Sequence, residues 1–65
     1  MKIIVVSEKE VIDKLVGKNN VNRMIIHIDH KNEKVFYETD YTRYELRELI
    51  DYKKALSILK PLCIL

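Results

Sequence analysis

The sequence predicts a small α+β domain, a two-layer sandwich in which a three-stranded sheet carries two helices on one face, in the order β-α-β-β-α. Three observations lead there. Residues 2–6 form a β-branched run. Residues 23–40 fold back on themselves about Lys31 and Asn32 as a hairpin with apolar residues on both faces. Two segments, 8–16 and 43–60, place apolar residues at helical spacing.

The first strand, Lys2 to Val6, shows no polar alternation, so it suits a strand covered on both faces or lying beside another chain. A helix follows over 8–16. Ser7 and Glu10 have capping-box spacing, in which each side chain takes the other residue's free backbone N–H. Val11, Ile12, Leu15 and Val16 make its buried stripe. Gly17, the single glycine, falls where a left-handed C-terminal cap is wanted. Lys18, Asn19 and Asn20 form a polar link to a hairpin. The hairpin pairs residues whose numbers sum to 63, so Met24 faces Thr39, Ile26 faces Tyr37, Ile28 faces Val35 and Asp29 faces Lys34. Its turn lacks the usual Asn-Gly, which allows a longer loop over 30–33. A second capping-box spacing, Thr42 with Glu45, opens a helix over 43–60 that Pro61 ends. Leu49, Tyr52, Leu56 and Leu59 run along that helix as one seam expected to meet Met24, Ile26, Ile28 and Val35. The first crossover is expected to be right-handed. Whether the first strand pairs with the second or the third is left open.

Sixty-five residues make one domain, 1–65. A chain this short buries only about 60% of the surface that its unfolded form exposes, and it needs help from a disulfide, a metal or another subunit. Cys63 is the only cysteine, so no disulfide forms within the chain, and one Cys with two His is a poor zinc ligand stock. A partner chain is what remains. The content is 48% hydrophobic and 34% charged, which is that of a folded protein. A net charge of +2 is too mild to point at nucleic acid or at an anionic membrane. The first apolar run is too short for a signal peptide or a membrane span, so the expected location is the cytoplasm. Nine Ile and nine Lys against three Arg suit an AT-rich genome, and a small protein from such a source suits a phage or mobile-element accessory role.

The chemistry-bearing residues are few. His27, Asp29 and His30 invite a metal reading but lack a firm third ligand, and a polar half-face beside Lys34 and Glu38 accounts for them. Cys63 lies between Leu62 and Ile64 with no charge near to activate it. There is no glycine-rich loop for a phosphate and no nucleophile–base pair. The sequence therefore predicts no catalysis, no cofactor and no metal.

What it does carry is surplus apolar surface. Two short helices cover one face of the sheet, which leaves Ile25, His27 and Phe36 on the other, together with half of the 3–6 run and the apolar tail 62–65. Tyr41, Arg43, Tyr44 and Arg47 add the aromatic and arginine mixture typical of interface anchors. These seven residues are the expected partner-binding set, for a protein-binding module that acts as an inhibitor, adaptor or regulator. A homodimer is expected as well. The alternative is a nucleic-acid-binding regulator using Arg23, Lys31, Lys34, Arg43 and Arg47.

Overall fold

The computed structural model describes residues 1–39 and 49–62. The elements are strand β1 (Lys2–Val6), helix α1 (Lys9–Val16), strands β2 (Met24–Asp29), β3 (Lys34–Thr39) and β4 (Leu49–Ile50), helix α2 (Tyr52–Leu59), and a 3-10 turn over Lys60–Leu62. The three long strands form the antiparallel sheet of the α+β sandwich, and β4 adds two residues at its far edge, in the order β1-β2-β3-β4.

The alternation in β2 decides which face is covered. Met24, Ile26 and Ile28 are fully buried, while Ile25, His27 and Asp29 between them are half-buried. Their covered neighbours are Ile4 and Val6 from β1 and Val35 from β3. Over this face lie Val11, Ile12 and Leu15 of α1 and Ala55 and Leu59 of α2, with Ile50 closing the end. Both helices thus sit on one side of the sheet, which buries the apolar stripe of each.

The hairpin has the register read from the sequence, from Met24 with Thr39 to Asp29 with Lys34. Its connection is the longer loop over 30–33. Asp29 shapes it. One carboxylate oxygen accepts from Lys31 N and Asn32 N at 3.1 and 3.2 Å, and the other from Asn32 Nδ2 at 2.8 Å. These bonds, the Asn32 side chain first, hold the Asp29 carboxyl below its usual pKa. A depressed pKa means stability that is present above the ordinary carboxylate range and lost as pH falls through the folded value. Asp29 should therefore titrate below an unperturbed aspartate in a carboxyl-detected NMR titration, and Asp29→Ala should flatten the acid limb of the stability profile.

Several local features differ from expectation. β1 lies antiparallel to β2 at the sheet edge, so the handedness rule, which governs parallel crossovers, does not apply. Helix α1 begins one residue later than expected. Its N-cap is Glu8, whose side chain makes no capping bond, and Val11 N and Ile12 N donate to the Glu8 carbonyl. Gly17 does take positive φ, but at φ 83° and ψ 176° rather than in the left-handed helical well. That region is essentially restricted to glycine. Gly17→Ala should cost about 1–3 kcal/mol through backbone strain alone, since a Cβ there meets nothing within 4 Å. Chemical denaturation would measure it.

The largest difference lies in the last helix. Where continuous helix is expected, Leu49–Ile50 is extended and pairs with Val35 and Phe36. The helix starts only at Tyr52, because the Asp51 carboxylate accepts from Lys54 N at 3.1 Å and caps it. Its buried line is Ala55 and Leu59, with Tyr52 and Ile58 packed beside them, and Leu56 is only half-buried. The Thr42–Glu45 capping box and the helical turns expected over 43–48 lie outside the described residues.

Candidate functional site

β-strands turn alternate side chains to opposite faces. Burial of Ile4 and Val6 under the helices therefore leaves Ile3 and Val5 on the opposite, open face. The register brings Ile3 beside His27, Val5 beside Ile25, Ile25 beside Glu38 and His27 beside Phe36. Ile3 is 59% exposed and Val5 57%. Ile25, two residues from His27 on β2, and Phe36, opposite His27 on β3, are half-buried. The open face is thus an apolar patch across three strands, with one polar pair set within it.

That pair is His27 and Glu38. They sit diagonally on β2 and β3, with His27 Nε2 3.1 Å from Glu38 Oε1. A carboxylate only accepts, so Nε2 carries the hydrogen in this contact. Their side chains are 16% and 17% exposed, because Ile25 and Phe36 flank them. Glu38, which the sequence analysis places only in the polar half-face beside His27, is the residue that bonds the ring. The signal was available: on one face of an antiparallel pair, diagonal neighbours two residues off register lie within reach of long side chains.

The other two members of the histidine cluster go elsewhere. Asp29 is engaged by the turn. His30 Nδ1 lies 2.9 Å from the Tyr52 hydroxyl, and the two rings meet edge to face at 5.9 Å. No group of three His, Cys, Asp or Glu side chains stands together as a metal site among the described residues. Of the expected partner-binding set, Ile25, His27 and Phe36 come together on the open face. Tyr41, Arg43, Tyr44 and Arg47 lie outside the described residues, as does Cys63. Of the cationic set, Lys31 and Lys34 are exposed at the hairpin tip, with Asp29 and Glu33 beside them.

A cleft of about 420 Å³ opens between the end of α1 and the start of α2, lined by Leu15, Val16, Gly17, Tyr37, Ile50, Asp51 and Lys54. Its one carboxylate, Asp51, is committed to capping α2, and no nucleophile–base pair faces it among these residues. No helix among the described residues is long and apolar enough to cross a membrane. Comparison with protein-family models, with curated proteins and with solved structures gave no match.

Proposed function

We propose that this chain is a small non-enzymatic protein-binding module, an inhibitor, adaptor or regulator of the cytoplasm, that docks on a partner protein through the open face of its sheet. The supporting observation is the exposure of Ile3 and Val5, at 59% and 57%, in one patch with Ile25 and Phe36. Contiguous apolar surface of this kind is uncommon on a soluble monomer and marks interaction sites. The embedded His27–Glu38 pair adds direction. A partner must either leave the pair intact or answer both groups, and that is how a mostly apolar interface gains specificity. The small size and the Ile- and Lys-rich composition fit a phage or mobile-element accessory protein.

Salt dependence tests the reading. Binding through an apolar patch changes little with salt, whereas phosphate binding weakens steeply. Capture of host proteins with the purified chain should therefore survive high salt and resist nuclease. Retention that vanishes on raising the salt or adding nuclease would transfer the function to nucleic acid, through Lys31, Lys34, Arg23, Arg43 and Arg47.

A further inference from the structure

Among the described residues β1 is an edge strand, and none of them pairs with its outward rim. Edge strands in soluble proteins are normally blunted by a proline, a bulge, an inward charge or shortness. β1 has none of these over residues 3–6, which read Ile-Ile-Val-Val, and its single charge, Lys2, stands at its start. Ile3 and Val5 keep more than half their surface in water here, while Ile25, with strands on both sides, is half-buried. Among the described residues, β1 lacks a strand alongside it.

We propose that the strand alongside is β1 of a second copy, antiparallel and centred on Ile4, so that two chains share one continuous eight-stranded sheet. Three features select a second copy and this register. First, in a continuous sheet opposed residues must share a face, so their numbers sum to an even value. Among such registers, the one centred on Ile4 is the one that pairs all five residues of β1. Second, it sets Ile3 against the partner's Val5 on the open face and Ile4 against its own counterpart on the helix side, which are β-branched pairs of the kind that stabilise sheets. Third, the charges agree. Lys2 opposes Val6, with no like charge across from it. It lies toward the end of the partner strand that runs into Glu8 and Glu10, and the two-fold axis repeats this at the other end. A parallel copy would stack Lys2 on Lys2. The proposal shares the exposure of Ile3 and Val5 with the docking reading but concerns the rim of β1, and it would double the open face into one platform.

The test measures mass and register together. Light scattering across a wide concentration range should show a dimer of the wild-type chain. Ile3→Lys and Val5→Glu should each weaken it by roughly tenfold or more. Both residues also border the open face, so loss alone does not discriminate. Mixing the two variants one to one does, because the introduced lysine then opposes the introduced glutamate while Val5 opposes Ile3, and dimer should return. In a Cys63→Ser background, Ile3→Cys and Val5→Cys should cross-link with each other on mild oxidation and far less with themselves. Opposed strand residues have Cα atoms about 4.5–5.5 Å apart, within disulfide range. Intact mass identifies the mixed species. A wild-type chain that stays monomeric at every concentration would overturn the proposal. So would self-cross-linking as efficient as mixed cross-linking, or a dimer that the one-to-one mixture fails to restore.

Discussion

Ile26→Ala should leave the domain largely unfolded at physiological temperature. Ile26 sits at the middle of β2, in register with Ile4 on one side and Tyr37 on the other, and is fully buried beneath the helices. Truncating a fully buried isoleucine removes its transfer free energy and leaves a cavity, a loss of about 2–5 kcal/mol. Stability runs at about 0.05–0.15 kcal/mol per residue, which is roughly 3–10 kcal/mol for this chain. The loss is therefore comparable to the whole. β2 is also the strand least able to adjust, since its neighbours β1 and β3 hold its register along its full length. Leu59→Ala should behave similarly, because Leu59 is the fully buried anchor of α2. Leu56→Ala should be much milder, since Leu56 is only half-buried. Urea denaturation followed by far-ultraviolet circular dichroism would rank the three. Equal losses for Leu56 and Leu59 would show that α2 packs by a different stripe.

The parts of the fold legible in the sequence are those where one strong pattern acts alone. In β2 and β3 the period of two, joined to a turn, admits one register, because a slip of one residue would turn every buried isoleucine to water. In α1 the stripe of Val11, Ile12 and Leu15 is buried as its spacing requires. The failures come where two local signals compete. Ser7 and Glu10 satisfy the capping-box spacing, yet the chain leaves β1 extended through Glu8 and the cap falls one residue later. At residues 49–52 the helical period runs on in the sequence, but Ile50 gains a strand neighbour in Val35 and Asp51 gains a capping bond. Asp51 reads equally well as a solvent-facing helix residue or as an N-cap, and the choice depends on the sheet edge nearby. The same holds at the open face. Its apolar character was legible from Ile25 and Phe36. Half of the 3–6 run was expected to join it, but which half was not legible, because those residues carry no alternation, and only the pairing with β2 shows that Ile3 and Val5 face away from the helices.

Charge placed on that open face should separate folding from docking. Ile25→Lys is the cleaner probe, because Ile25 is in register with Glu38 and the new cation faces an anion. An aspartate at the same position would face that carboxylate and confound binding with fold stability. Phe36→Asp is its complement. Position 36 is in register with His27 and lies between Lys34 and Glu38 on the same strand face, so the carboxylate meets a cation as well as an anion and tests the patch with the opposite charge. Neither position belongs to the buried core, so each substitution should cost about 1 kcal/mol, the average for point substitutions. Partner binding should respond very differently. A central anchor contributes about 2 kcal/mol or more, roughly a thirtyfold loss of affinity. Burying an unpaired charge under the partner adds to that. Each variant should therefore melt close to the wild type, yet retain little partner in titration calorimetry or capture. If both bind as well as the parent while folding normally, the open face is not where the partner docks. The surface bearing Tyr41, Arg43, Tyr44 and Arg47 would then be the one to substitute next.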